Sequence, residues 1–260
     1  MTSPVPVRTP LPASLAGATA LLIGGSSGIG LAAGALLRSV GARVVLLGRD
    51  AEKLKAAAEH VRAVAPGGED DVLTVAGDAG DERTLDEAFE RAGQVQHVYL
   101  TAGGISGVGP LADLPPGDIR ATLADGLWRP FAAARAAATR LPAGGSLTFS
   151  SGILVTRPMP AMTAPLAVAG GVEILTRALA VELAAARVRV NAIRYGHIDT
   201  PLLRSLPGLD SDEGVAAAGQ SAPLGRFGTA QEAAAAALFC MANGYVTGQV
   251  ITVDGGESLA

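Results

Sequence analysis

Residues 23–30, IGGSSGIG, have the residue types and spacing of a turn that binds phosphate. Glycines let a backbone turn sharply and approach a pyrophosphate closely. Serine hydroxyl groups add hydrogen-bond donors for the same anion. The helical pattern that follows, residues 31–40, would present free N–H groups and the positive end of its dipole. The stretch therefore predicts a dinucleotide site, with contacts from Gly24, Ser26, Ser27, Gly28, Ile29 and Gly30.

Three residues further along the chain could move a proton. Ser151 ends an apolar run, and Tyr195 and His197 lie together in the segment RYGHIDTP. The Tyr195 hydroxyl could enter a site from the wall opposite Ser151, and histidine titrates near neutrality. Each also has a structural interpretation, in which Ser151 satisfies a backbone group, Tyr195 fills the core and His197 is a loop residue. No spacing of His, Cys and acidic residues predicts a metal site.

Alternating strand and helix patterns must position these residues. Strands are predicted at 18–23, 43–47, 72–76, 97–101, 146–149, 188–193 and 250–253. Helices are predicted at 29–39, 51–64, 81–92, 118–141 with a kink or joint near 126–130, and 229–241. A further long helix follows the irregular stretch 153–165 and runs to about residue 186, and a mobile loop with helical turns is predicted at 201–222. This alternation predicts an α/β fold, a doubly wound sheet of seven parallel strands. Residues 15–260 form its single domain, after a flexible tail at 1–14.

Composition excludes several classes of function. The chain has 260 residues, a net charge of −4 and a pI near 5.4, which argues against a nucleic-acid partner. It has no basic amphipathic helix and no apolar run of about 18 residues, so a membrane role is not expected. Its one cysteine, Cys240, rules out an internal disulfide and fits the reducing cytoplasm.

Several motifs together resemble the short-chain dehydrogenase/reductase family. They follow the family's order over nearly the whole chain: IGGSSGIG, GDAGD at 77–81, TAGG at 101–104, SLTFSSG at 146–152, VEILTRALAVEL at 172–183, RVRVNAI at 187–193, IDTP at 198–201 and YVTGQVITVDGG at 245–256. The resemblance implies a Rossmann-type fold, a nicotinamide cofactor, a small-molecule substrate and oxidoreductase activity.

The resemblance also implies the rest of the cofactor site. Further contacts are expected from Asp78, Ala79, Ala102, Gly103, Ile198 and Thr200. An acid about 20 residues past the last glycine binds the ribose of NAD, whereas an arginine suits the 2′-phosphate of NADP. Here Gly48 stands at the position of the acid and Arg49 follows. NADP(H) is therefore the expected cofactor.

The family's catalytic residues are mostly missing. The family uses a serine, a tyrosine, a lysine four residues after the tyrosine, and an asparagine. Ser151 matches the serine, but the tyrosine and lysine positions hold Pro165 and Ala169, or Ala164 and Val168 in a register shifted by one. Gly126 stands for the asparagine, and Thr101 replaces a second asparagine of the motif after the fourth strand. Tyr195 is the candidate replacement for the lost acid.

Three functions remain open from the sequence. The chain could be a divergent NADP(H)-dependent oxidoreductase for a small carbonyl, alcohol or enol substrate. It could instead be an inactive protein that binds the cofactor or regulates an oligomeric partner, or a non-redox cyclase or lyase that uses the same pocket. The resemblance implies a homodimer or homotetramer, formed through the helix at 166–186 and the C-terminal helix and strand, whose alanine-rich faces allow close approach.

Overall fold

Seven short strands form one parallel sheet in the computed structural model, which describes residues 13–260. The strands of the chain are β1 (Thr19–Ile23), β2 (Arg43–Gly48), β3 (Val72–Ala76), β4 (His97–Leu100), β5 (Ser146–Gly152), β6 (Arg189–Tyr195), β7 (Ile198–Asp199), β8 (Gly228–Thr229) and β9 (Val250–Val253). The sheet has the order β3-β2-β1-β4-β5-β6-β9, and β7 pairs with β8 separately. All these pairs are parallel, so the carboxyl ends of the seven strands meet at one edge.

Helices cover both faces of this sheet. They are α1 (Gly28–Ser39), α2 (Ala51–Arg62), α3 (Glu82–Ala92), α4 (Pro116–Ala138), α5 (Thr163–Glu182), α6 (Pro201–Arg204), α7 (Asp212–Gly219) and α8 (Ala230–Ala242). One core lies between the sheet and α3, α4 and α5, and the other lies between the sheet and α1, α2 and α8. Because both faces are covered, the central strands are mostly buried, and all five residues of β1 are buried.

Polar residues at the strand ends start the helices. Asp50 caps α2 by accepting hydrogen bonds from the N–H groups of Glu52 and Lys53, at 3.0 and 3.1 Å. Asp81 caps α3, and Thr229 forms a capping box with Glu232 at the start of α8. Each cap satisfies backbone donors that the first turn of a helix leaves free. The chain therefore changes direction directly after the strands that build the site edge.

The predicted α/β fold with seven parallel strands is confirmed. The structure has one continuous helix α4 with Pro130 in its interior, so the prediction of a joint near residues 126–130 is wrong, and a kink there stays a prediction. Proline removes a helical hydrogen bond, but buried residues on both sides of Pro130 hold α4 against the core. The short β7–β8 pair was not predicted. The predicted tail comprises residues 1–14, and its residues 1–12 lie outside the described part of the chain. No helix within residues 13–260 is both long and apolar enough to cross a membrane.

Candidate functional site

The glycine turn packs too tightly for side chains at two of its positions. A Cβ atom added to Gly30 would lie 2.2 Å from the Gly24 carbonyl oxygen, and one added to Gly24 would lie 2.6 Å from the Ala102 nitrogen. Gly24 and Gly28 also have positive φ angles of 98° and 53°, which favour glycine. Thr101 donates a hydrogen bond to the Gly24 carbonyl oxygen at 3.2 Å. The end of β4 thus holds the turn that follows β1.

The first turn of α1 leaves its backbone donors free. Ser27 is the N-cap residue with an extended backbone, and its side chain caps no backbone N–H of residues 13–260. The first helical hydrogen bond runs from the Leu31 N–H to the Ser27 carbonyl at 3.1 Å. The N–H groups of Gly28, Ile29 and Gly30 therefore point out of the helix end without a helical acceptor. Such an end, with the helix dipole behind it, fits a phosphate group.

The end of β2 presents one cation and no available acid. Arg49 is exposed and forms neither an ion pair nor a side-chain hydrogen bond with any residue from 13 to 260. Asp50 is occupied as the cap of α2. An added Cβ at Gly48 would lie 3.1 Å from Ser26 Oγ, so an acidic side chain has little room there. The arrangement suits an anionic 2′-phosphate better than a ribose hydroxyl.

Asp78 follows β3 and is held by α4. Its carboxylate accepts a hydrogen bond from the Gly80 N–H at 2.7 Å and pairs with Arg129 at 3.3 Å. The Gly80 hydrogen bond, reinforced by Arg129, lowers the pKa of Asp78. Both residues line a cavity of about 320 Å³ together with Asp125 and Trp128. Arg129 was not singled out in the sequence, because nothing in α4 marked it as a partner of a residue 51 positions away.

The other predicted cofactor contacts have different environments. Ala79 and Ile198 are buried in the two cores, so only their backbone groups can face a ligand. Ala102 is partly buried, whereas a Cβ at Gly103 would meet no described atom within 4 Å. Thr200 caps α6, and its Cβ lies 3.5 Å from the position of a Cβ at Gly28. The structure therefore brings Thr200 and Gly103 to the glycine turn and the site edge.

Ser151 belongs to a polar network that the sequence did not predict. Its hydroxyl donates to Glu173 Oε1 at 2.8 Å. Arg194 holds the same carboxylate with two hydrogen bonds, from Nε to Oε1 at 2.8 Å and from one terminal nitrogen to Oε2 at 2.6 Å. The side chains of Glu173 and Arg194 are only 7% and 15% exposed. Hydrogen bonding to Glu173 raises the pKa of Arg194, so the guanidinium stays charged.

The position of Glu173 identifies the face of α5 that lies against Ser151. Ala169 and Pro165 precede Glu173 by four and eight residues, so they follow the same face of the helix. These are the positions that the first of the two registers of the resemblance assigns to the lysine and the tyrosine. Neither residue carries an ionisable group. Glu173 is thus the first titratable side chain on this face of α5.

Gly126 of α4 has no room for an asparagine. A Cβ there would lie 2.6 and 2.8 Å from the two γ-methyl carbons of Val168. Gly171 of α5 similarly receives Leu127, at 2.8 Å from an added Cβ. Val168 of α5 therefore packs against Gly126 of α4, and Leu127 of α4 packs against Gly171 of α5. Val168 thus occupies the space that a side chain at residue 126 would fill.

Tyr195 lies on the opposite face of the sheet from Ser151, which corrects its predicted role. In the β5–β6 register Ser151 is level with Arg194, and the next residue, Tyr195, points to the other core. Its hydroxyl lies 2.6 Å from the Tyr99 hydroxyl and donates to the Ala233 carbonyl at 3.1 Å. Burial raises the pKa of Tyr195 well above its ordinary value. Tyr195 is therefore a core residue and cannot protonate a substrate beside Ser151.

His197, the remaining candidate for proton transfer, contacts Glu257 near the end of the chain, and Arg157 contacts the same residue. His197 Nδ1 lies 2.7 Å from Glu257 Oε2, and its backbone N–H donates to the other carboxylate oxygen at 3.2 Å. Arg157, in the irregular stretch before α5, donates to the Glu257 carbonyl oxygen. The His197 ring also stacks on Phe227. This cluster ties the C-terminal residues to the segment after β5. The described residues contain no cluster of metal-ligating side chains.

Known proteins resemble this chain over nearly its whole length. The sequence model described as Enoyl-(Acyl carrier protein) reductase matches residues 23–258. Carbonyl reductase family member 4 of Danio rerio is 33% identical over 92% of this chain and 98% of its own length. The galactitol 2-dehydrogenase (L-tagatose-forming) of Cereibacter sphaeroides is 34% identical over 94% of this chain and 96% of its own.

A solved structure is also similar in sequence and shape. It is an NADPH-bound short-chain oxidoreductase from Pseudomonas aeruginosa PAO1, described as containing an atypical catalytic center. It is 31% identical, has a TM-score of 0.85, and covers 94% of this chain and 97% of its own length. The chain belongs to the short-chain dehydrogenase/reductase family of oxidoreductases.

Proposed function

We propose that this protein is an NADP(H)-dependent oxidoreductase for a small carbonyl, alcohol or enol compound, with a degenerate set of catalytic residues. The observation that carries the proposal is the free helix end at Gly28, Ile29 and Gly30 beside the exposed Arg49. Two anions, a pyrophosphate and a 2′-phosphate, are the ligands that this pair of features fits. When bound, the cofactor supplies the hydride chemistry.

The residues of the chain then bind the cofactor and the substrate. The backbone donors of α1 hold the pyrophosphate, Arg49 binds the 2′-phosphate, and Asp78 lies on the adenosine side. Ser151 touches the substrate at the reacting oxygen. Exposed apolar side chains that follow β4, β5 and β7 favour a substrate with an apolar body; they are Ile105, Met159 and Leu202. The named activities of the Danio rerio and Cereibacter sphaeroides relatives support the oxidoreductase class.

The degenerate catalytic wall limits the expected rate. No tyrosine occurs between Tyr99 and Tyr195, and no lysine occurs after Lys55. A positioned general acid contributes about 10²–10⁴ in rate, so reduction of an ordinary ketone should be slow by about that factor. Among carbonyl compounds, an activated carbonyl, which needs less proton assistance, is therefore favoured over an ordinary ketone.

The packing of Val168 against Gly126 favours a second function, a protein that binds the cofactor without turnover. A proton relay through the space beside Gly126 would need room for a polar side chain or water, and two methyl groups stand there. A regulatory or oligomer-partner role would need the cofactor site alone. A protein of this kind would bind NADP(H) at the same site without catalysing a reaction.

We also propose that the protein is a homodimer or homotetramer in the cytoplasm. Ile174 and Val181 on α5 are 60% and 79% exposed, which is unusual for large apolar residues on a helix face unless a partner covers them. The lone thiol of Cys240 is buried, and burial raises its pKa to about 11, so it suits a reducing compartment without reacting.

The direct test combines cofactor binding with turnover. NADPH binding is followed by fluorescence. Turnover is followed in both directions, as NADPH oxidation with a broad panel of activated and ordinary carbonyl compounds and as NADP⁺ reduction with the corresponding alcohols. We expect binding, and turnover above background for at least one activated carbonyl. Binding without turnover in either direction selects the non-enzymatic candidate. Absence of binding contradicts both candidates.

A further inference from the structure

Ser151 has only one proton to donate, and Glu173 already accepts it within the Ser151–Glu173–Arg194 network. A serine hydroxyl is one donor and two acceptor lone pairs. The Ser151 proton is directed to Glu173 Oε1 at 2.8 Å. The reverse arrangement, in which Glu173 donates to Ser151, would need a protonated carboxyl group. Arg194 opposes that state because its guanidinium donates to both carboxylate oxygens, at 2.8 and 2.6 Å.

The network is built to keep this direction. Glu173 is 5% exposed, so no bulk water competes for its carboxylate. Arg194 has donors only, and a further nitrogen of its guanidinium donates to Thr252 Oγ1 at 3.3 Å. Among residues 13–260, Ser151 Oγ forms no other side-chain hydrogen bond. The lone pairs of Ser151 are thus the groups left for a ligand.

We propose that Glu173, as a positioning residue, makes Ser151 a hydrogen-bond acceptor, so that the site selects a substrate that carries a donor at the reacting oxygen: an alcohol or enol rather than a ketone. This inference rests on the proposed function for the meaning of the site, and it narrows the substrate class. A serine that polarised a ketone would have to donate its proton to the carbonyl oxygen. Here that proton is bonded to a buried carboxylate that is paired with Arg194. If the Ser151 proton turned to a ketone instead, the Glu173 carboxylate would lose one of its hydrogen bonds.

The experiment compares the binding of cyclohexanol and cyclohexanone, two probes of one shape that differ at the oxygen. Dissociation constants are measured by ligand-observed NMR with the full chain, with and without NADP⁺. Intrinsic differences between the probes are removed by comparison with Ser151→Ala. We expect the wild-type preference for cyclohexanol over cyclohexanone to exceed that of Ser151→Ala by about tenfold, the effect of one hydrogen bond.

The decisive variant is Glu173→Met/Arg194→Met. It removes the buried pair together and keeps the volume, so no unpaired charge remains. The Ser151 hydroxyl then has no protein acceptor and can donate to a carbonyl. Cyclohexanone should bind about tenfold tighter than to the wild type, while cyclohexanol changes little. Such a gain of binding cannot come from a damaged fold. The control Glu87→Met/Arg91→Met removes an exposed pair on α3 and should change neither probe.

Each result has a defined meaning. If the wild type and Ser151→Ala prefer cyclohexanol over cyclohexanone to the same degree, the inference is overturned, whether or not the double variant folds. Unchanged cyclohexanone binding in a folded double variant also overturns it. Failure to bind NADP⁺ contradicts the proposed function instead, and the probe preference in the cofactor-free protein still decides the inference.

Discussion

Arg49 and Asp50 are neighbours in sequence with different tasks. Asp50 is committed to the start of α2, whereas Arg49 is exposed at the end of β2. We therefore expect Arg49→Ala to raise the dissociation constant of NADPH about 10- to 100-fold, since it loses charge-assisted hydrogen bonds to the 2′-phosphate. NADH binding should change by less than about threefold. Calorimetric titration of both cofactors provides the measurement.

Lys53→Ala is the matched control for Arg49→Ala. Lys53 is a nearby exposed cation whose ammonium lies 3.9 Å from Asp50. If the effect of Arg49 were only its charge, Lys53→Ala would weaken NADPH binding similarly. The prediction fails if both variants behave alike or if Arg49→Ala binds NADPH as well as the wild type does.

His97 makes the stability of the fold depend on pH. Burial, with a smaller effect of Arg189, lowers the pKa of His97 from its ordinary 6.5 to about 4. Between these values the unfolded chain binds a proton that the folded chain does not, so stability falls as pH falls. His97 alone should lower the free energy of unfolding by about 2 kcal/mol between pH 7 and pH 5. Urea unfolding at both pH values measures it.

His97→Asn should remove most of this dependence. The Asn amide does not titrate and can still hydrogen bond to Ser146 Oγ, the 2.9 Å partner of His97 Nδ1. His60→Asn, an exposed change on α2, should leave the dependence as it is. An equal loss of stability between pH 7 and pH 5 in wild type and His97→Asn would show that another group is responsible.

At the residue scale, sequence patterns predict backbone sites better than side-chain partners. The glycine turn follows from local spacing, because its shape depends on adjacent residues. The Ser151–Glu173–Arg194 network joins a strand end, a helix face and a second strand, 22 and 21 residues apart along the chain. Tyr195 was wrongly predicted as catalytic because the direction of its side chain depends on where β6 ends. As a residue of the strand, Tyr195 alternates with Arg194 and points away from Ser151. The sequence pattern predicted that end at residue 193, and β6 continues to Tyr195.

Between α4 and α5, two glycines receive two branched side chains. Gly126→Ala should lower the free energy of unfolding by about 1–2 kcal/mol, because overpacking against Val168 outweighs the better helix propensity of alanine. Val168→Ala in the same background should restore part of the loss. Gly117→Ala is the control in the same helix and should not destabilise, because an added Cβ there would have no atom of another described element within 4 Å.

Urea unfolding of these variants also tests whether the space of the family's asparagine is filled. Gly126→Ala with wild-type stability would mean that Val168 moves aside easily. The space would then be open to a side chain or water, and the argument for a filled proton relay would be lost. The pair of helices therefore links a packing measurement to the question of turnover.

Element boundaries were predictable where polar caps mark them. Asp50 is of a residue type that favours the N-cap position, and it caps α2. The continuous α4 was not predictable from Pro130, because local propensity disfavours a helix there and the buried residues around it decide otherwise. The β7–β8 pair escapes prediction because each strand has only two residues.

For the whole molecule, the exposed apolar face of α5 predicts an interface between copies of the chain. Ile174→Glu/Val181→Glu should lower the mass found by light scattering, because two charges would enter an apolar contact. Leu111→Glu changes another exposed residue, outside α5, and should keep the mass. A monomeric wild type, or an unchanged mass in the α5 variant, would contradict assembly through this face.

The central claim is that the chain retains a site for NADP(H) although its catalytic wall is degenerate. Calorimetric titration of the wild type with NADPH and with NADH, at one ionic strength, tests it most directly. NADPH should bind at least about tenfold more tightly, because Arg49 meets the 2′-phosphate that NADH lacks, whereas the free end of α1 meets the pyrophosphate of either cofactor. NADH binding equally well or better, or no binding of either cofactor, would contradict the account.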